Sequence, residues 1–266
     1  MENDPPEMVV AQVERLFRQG TRILDREQRT YALGRKLRRL SPEVLVEIFR
    51  ITCQGARLKR PLYQDGLRIL SDIRRLTPLL GLGKLSAVYT LARRRDYQDV
   101  VRMMGRFPPR RKVGDGQEDE PTEDPVLKEV PLGHRKSMAR TRDRDLINRL
   151  CHDQNPAVIS NLLENPHLTV KEVIRIASKR PTNAQVLWMV YRNLRWISYY
   201  SVKKALVNNP YAPPHLALSL MHFLLEQDLE DVAESDFLHP RLQESALDIL
   251  SERRRQTAIK IAEGEA

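Results

Sequence analysis

The chain has 266 residues, with 45 Lys+Arg against 35 Asp+Glu for a formal net charge of +10, and is 41% hydrophobic and 30% charged. That is enough apolar material for a core beneath a well-solvated exterior. The acidic, proline-bearing start MENDPPEM lacks the basic and then apolar run of a secretory signal, and Cys53 and Cys151 are too few and too far apart for a disulfide framework, so a cytoplasmic protein is expected.

In chain order, Val9, Val13, Leu16 and Phe17 can line one helix, and RKLRRL then brings Arg35, Lys36, Arg38 and Arg39 together. Ser41 reads as a helix cap with Pro42 in the first turn, and Val44, Leu45, Ile48, Phe49 and Thr52 share one side. RLKR contributes Arg57, Lys59 and Arg60. PLYQDGLRILSDIRRL from Pro61 predicts the next helix, and GLGK at 81–84 a corner. Leu85, Val88, Tyr89 and Ala92 form a further stripe that runs into Arg93, Arg94 and Arg95. YQDVVRMMGR from Tyr97 predicts a last helix before PPRRK, which ends at Lys112. No clean repeat joins these segments; continuation of the later helical array is preferred to a separate bundle.

Charge divides the chain. Residues 1–112 hold 25 Lys+Arg and 12 Asp+Glu, residues 113–130 one and 7, and residues 131–266 hold 19 and 16. VGDGQEDEPTEDPVLKEV, 113–130, has too little apolar surface to offset ordering, so it reads as a flexible acidic linker between a basic N-terminal helical region and a C-terminal one. A solvated tether is preferred to a segment folded back on the basic surface.

After the linker the apolar period is helical: Val170, Val173, Ile174, Ala177; Leu187, Val190, Tyr191, Leu194; Ala217, Leu220, Met221, Leu224. Runs from Ala157, Ser198 and Leu242 add further helices. Thr169 with Glu172, and Thr182 with Gln185, have capping-box spacing, while Pro156, Pro166, Pro181 and Pro210 mark the junctions. LLENPHLTVKEVIRIA returns as ALVNNPYAPPHLALSL, the two Asn-Pro dipeptides lying forty-four residues apart. Over about 145–250 this pattern resembles HEAT and armadillo repeats and the shorter leucine-rich-variant helical repeat of bacterial proteins. The resemblance implies an all-α solenoid of short antiparallel helices, whose single apolar faces need neighbours to cover them.

Motifs for bond-making chemistry are absent. Cys151-His152-Asp153 lists the right groups for a nucleophile and its base, but adjacent residues on a helix diverge, and Cys151 is read as a packing residue. The six histidines lack zinc-site spacing, and neither a phosphate-binding loop nor a dinucleotide fingerprint occurs, so no metal or cofactor is expected. The aromatic stretch with its arginines, Trp188, Tyr191, Arg192, Arg195, Trp196, Tyr199 and Tyr200, is the candidate partner-binding surface. Arg35, Lys36, Arg38, Arg39, Arg57, Lys59, Arg60, Arg93, Arg94 and Arg95 are the candidate polyanion contacts. The function expected is a non-enzymatic scaffold for a protein partner. The alternative is a nucleic-acid-binding protein, conceivably similar to the helical-repeat DNA glycosylases.

Overall fold

The computed structural model describes residues 7–21, 23, 26–105, 108–112 and 124–262. These form eighteen helices and no strand. They divide into two compact units, Met1–Arg106 with Leu247–Ala266, and Phe107–Ala246. The first holds α1 (Glu7–Thr21), α2 (Arg26–Leu37), α3 (Pro42–Arg57), α4 (Pro61–Leu70), α5 (Ile73–Leu80), α6 (Leu82–Arg94) and α7 (Gln98–Met104). The second holds α8 (Pro125–Lys128), α9 (Leu132–Met138), α10 (Arg144–Leu150), α11 (Pro156–Leu163), α12 (Val170–Ser178), α13 (Ala184–Arg192), α14 (Leu194–Ile197), α15 (Tyr200–Val207), α16 (Pro214–Met221) and α17 (Glu226–Ala233). The last helix, α18 (Pro240–Ala262), starts in the second unit and ends in the first. Residues 131–266 are therefore not one region: from Leu247 the chain belongs with the N-terminal helices.

In the first unit α3 packs against α1, α4, α6 and α7. Ser41 caps it, accepting from the Val44 N–H at 3.4 Å, and Leu45, Val46, Ile48, Phe49, Ile51, Cys53 and Ala56 are buried, so the helix is covered on most sides and not along one stripe. Val44, assigned to that stripe, is exposed. Gly55 lets α4 approach closely, because a Cβ there would lie 2.3 Å from the Tyr63 ring. The run from Pro61 is two helices, not one. Asp72 breaks it, its carboxylate accepting from the Arg75 N–H at 3.3 Å to cap α5. The final helix is tied in by Arg253, which donates to the Arg57 carbonyl at 3.1 Å, and by an Arg102–Asp248 ion pair.

Of the acidic stretch, 113–123 lies outside the described residues, and 124–130 is not an open tether. Asp124 accepts from the Val126 and Leu127 N–H groups at 2.9 and 3.3 Å to cap α8, and Leu127 is buried. Beyond it, α9 packs on α11 and α11 on α13, while α12 packs on α15 and α15 on α16. Most side-chain hydrogen bonds between non-adjacent elements join residues 23 to 33 apart, from Arg144 with His167 to Trp196 with Leu163. The forty-four-residue interval is thus not the step between stacked neighbours: its two Asn-Pro corners close α11 and α15, which rest on different helices.

Candidate anion-binding site

The Asn-Pro corners are built alike. Asn165 and Asn209 are buried, 2% and 1% exposed. Each places its amide N–H₂ on two carbonyls that end an earlier helix: Asn165 on Ala139 and Thr141 at 2.9 and 2.8 Å, Asn209 on Ala177 and Lys179 at 2.8 and 3.0 Å. The amide oxygens accept from the N–H two residues on, at His167 and Tyr211. One side chain therefore satisfies the orphan carbonyls of a helix C-terminus and fixes the turn into the following proline segment. At the second corner the Pro210 carbonyl accepts from the Arg111 N–H at 3.2 Å, which carries the basic segment 108–112 to the end of α12.

Thr169 and Glu172 form the expected capping box on α12. The one expected at Thr182 and Gln185 does not form. Asn183 caps α13 instead, its carbonyl oxygen accepting from the Gln185 N–H at 2.8 Å, and Thr182 lies just outside the helix at 2% exposure.

Two recesses lie near these helix ends. The larger, about 550 Å³, is lined by Asp124, Pro125, His152, Arg175, Ser178, Lys179 and Arg180. The smaller, about 310 Å³, is lined by Pro109, Arg111, Lys112, Gln154, Thr182, Asn183, Ala184 and Tyr211. Both draw on the segment after α10 and on the corner between α12 and α13. Of the cations, Lys179 donates to the His152 carbonyl, Arg180 to the Asn208 carbonyl, and Arg175 to the Asn148 amide oxygen at 3.1 Å. Asp124 is the one carboxylate among the described residues lining either recess, and it also meets Arg149 at 3.5 Å. Burial, with Lys179 and Arg175 beside it, pushes the His152 pKa below the ordinary imidazole value, and burial with Arg111 nearby lowers that of Arg180.

The predicted aromatic surface is largely interior. Trp188, Tyr191 and Trp196 are buried, and the Trp196 indole N–H donates to the Leu163 carbonyl at 2.7 Å. An indole with its one donor spent on a neighbouring helix end is a packing anchor, not an accessible one. Arg195 lies over the Trp196 ring, 4.2 Å from its centroid, and Tyr199 stacks beside it while 43% exposed. Arg192 is exposed. Tyr200 donates to Asp228 and accepts from the Leu225 N–H at 3.0 Å, locking α15 to the start of α17.

The predicted polyanion residues are not gathered into one patch. Arg35, Lys36, Arg38 and Arg39 precede α3, whereas Arg57, Lys59 and Arg60 lie at its far end, roughly 24 Å away for sixteen residues at ~1.5 Å each. Arg57 pairs with Asp99, and Arg95 with Glu47 at 2.6 Å, where Tyr97 and Arg50 also bind. Arg93 and Arg94 are exposed at the end of α6. The basic residues that do converge, Arg111, Lys112, Arg175, Lys179 and Arg180, are in the second unit. Of these only PPRRK stands out in the sequence; Arg175 lies on α12 among apolar positions and Lys179 and Arg180 form a short pair in the corner after it, so their meeting with 152–154 shows only in the folded chain.

The Cys151-His152-Asp153 string is not assembled. Burial, followed by the charge of Glu172, pushes the buried Cys151 thiol up to about 12, so it carries no thiolate at neutral pH. Asp153 is spent on Arg135 and on the Asn155 N–H, both at 2.7 Å. No cluster of three or more metal-ligating side chains occurs, and no helix is long and apolar enough to cross a membrane, among the described residues. No protein-family model, curated protein or solved structure matches the chain.

Proposed function

We propose that this protein is a non-enzymatic helical-repeat scaffold whose second unit, a HEAT-like solenoid, holds an acidic segment of a partner protein against the basic recesses at its helix ends. The observation that carries this reading is the convergence of Arg111, Lys112, Arg175, Lys179 and Arg180 around two recesses with Asp124 as their lining carboxylate. Packing of α9 on α11, of α11 on α13 and of α12 on α15, with side-chain hydrogen bonds recurring every 23 to 33 residues, supports the solenoid. Partly exposed ion pairs are worth about 0.2–1 kcal/mol each, so a handful of them gives steered, salt-sensitive capture and not tight, dry binding.

The test is fluorescence anisotropy with a labelled polyglutamate peptide and a labelled DNA duplex of equal charge, at 50 and 200 mM salt. Arg175→Glu combined with Lys179→Glu is expected to weaken peptide binding at least tenfold with the helical circular dichroism retained. Arg35→Glu, Arg38→Glu and Arg39→Glu together are expected to leave it unchanged. Tighter binding of the duplex, lost in the second set and kept in the first, would move the function to the first unit and to nucleic acid.

A further inference from the structure

In the first unit, the end of α2 joins a basic cluster to an apolar tip. Tyr31, Arg35 and Arg38 recur at helical spacing and are exposed, while Leu33 and Leu37 on the opposite side are buried. Arg39 follows and is exposed too. The chain holds no Asp or Glu from 28 to 42 or from 73 to 95, and Arg35, Arg38 and Arg39 pair with no carboxylate among the described residues.

The corner between α5 and α6 is fastened to this end of α2. Lys84 donates to the Arg38 and Leu40 carbonyls at 2.6 and 2.9 Å. Two residues before it, Leu82 is 69% exposed. Leu82 stands between Gly81, whose φ of 84° lies in the left-handed region, and Gly83. A Cβ added at either glycine would meet nothing within 4 Å, so the tip stands clear of the rest of the fold.

A lone exposed leucine decides nothing. Held beside three arginines, it narrows the partner. The phosphates of a nucleic acid would engage the arginines but offer nothing to Leu82, and a protein partner would have to bring a pocket shaped for it. An anionic bilayer carries charge at its surface and hydrocarbon beneath, and it closes around an apolar tip without a preformed fit. Tyrosine, apolar in its ring and polar at its tip, settles at that boundary. We propose that the face carrying Tyr31, Arg35, Arg38, Arg39 and Leu82 docks the protein on an anionic lipid bilayer, with the arginines among the headgroups and Leu82 beneath them. The contact is peripheral, and it does not depend on the recesses of the second unit.

The test is sedimentation of the full chain with vesicles of phosphatidylcholine alone and with vesicles one quarter phosphatidylserine, beside anisotropy with a labelled DNA duplex. Each basic side chain near an anionic surface strengthens binding roughly fivefold, so Arg35→Gln, Arg38→Gln and Arg39→Gln together are expected to weaken binding to the anionic vesicles about a hundredfold. Leu82→Ser, at a site that packs on nothing, is expected to weaken it about three- to tenfold with the melting temperature within a few degrees of the parent. In Leu82→Trp, brominated lipid should quench more fluorescence than in the parent. Arg175→Glu with Lys179→Glu should leave vesicle binding within twofold. The proposal is overturned by a parent chain that binds neither vesicle or both equally, by a Leu82→Ser variant that binds as the parent does, or by vesicle binding lost in the Arg175 and Lys179 pair. Duplex binding tighter than vesicle binding and indifferent to Leu82→Ser overturns it as well, and assigns the arginines to nucleic acid. Polyglutamate capture is read at the second unit, so failure here leaves the scaffold reading standing.

Discussion

Asn165 and Asn209 do the same work at two corners, and the work depends on donation. Each amide satisfies two carbonyls at a helix end while buried. Asn209→Ala leaves the Ala177 and Lys179 carbonyls unmet and should cost about 2–3 kcal/mol in urea unfolding. Asn209→Asp should cost more than Asn209→Ala, because a buried carboxylate then faces two carbonyl oxygens with nothing to donate. An aspartate variant as stable as the parent would show that the amide donors are not what holds the corner. At this scale the sequence is uneven to read. Asn-Pro recurrence is visible in the letters, and so is the Thr169–Glu172 box. Trp188, Tyr191 and Trp196 are not: a large ring at helical spacing looks the same whether it faces solvent or the next helix, and only the Trp196 bond to Leu163 decides it.

Helix starts and stops were the most readable elements, since Ser41, Pro42 and Thr169 act through local geometry that neighbours do not alter. The single helix expected from Pro61 splits because Asp72 competes for backbone N–H groups, a preference that apolar periodicity does not weigh. Helices α2, α9, α10 and α17 have no counterpart in the sequence reading; α9 buries none of its residues, so it leaves no apolar stripe to find. The lock between α15 and α17 gives a pH prediction. Burial raises the Asp228 pKa, but hydrogen bonds from Lys204, at 2.5 Å, and from Tyr200 hold it below the ordinary carboxylate value. A depressed folded-state pKa means stabilisation that is complete above the unfolded value of ~3.9 and is lost as pH falls through the folded one. Asp228→Asn should therefore lower stability at pH 7 by about 1 kcal/mol, the Lys204 end being exposed and screened. The gap between parent and variant should close below about pH 4, measured as melting temperature across pH 2–7. A gap that widens towards low pH would contradict this.

The units themselves follow a division that charge alone does not reveal. Composition separates a basic first region from an acidic stretch, yet Leu247–Ala266 belongs with residues 1–106, and that return depends on long-range pairs such as Arg102 with Asp248. Removing residues 247–266 should loosen the first unit and leave the second folded. Limited proteolysis should then cut within 1–106 at a protease level that spares 124–246; equal protection of both would contradict the assignment. The same scale bears on the proposed function. Net charge points to the first region, but its cations are spread along α3 and partly spent on Asp99 and Glu47, whereas in the second unit Arg111, Lys112, Arg175, Lys179 and Arg180 line two recesses. The most direct measurement is hydrogen–deuterium exchange on the full chain with and without a saturating acidic peptide. Protection confined to 108–112, 152–154 and 175–184 is the expected result; protection at 35–39 and 57–60 with those segments unchanged would contradict it.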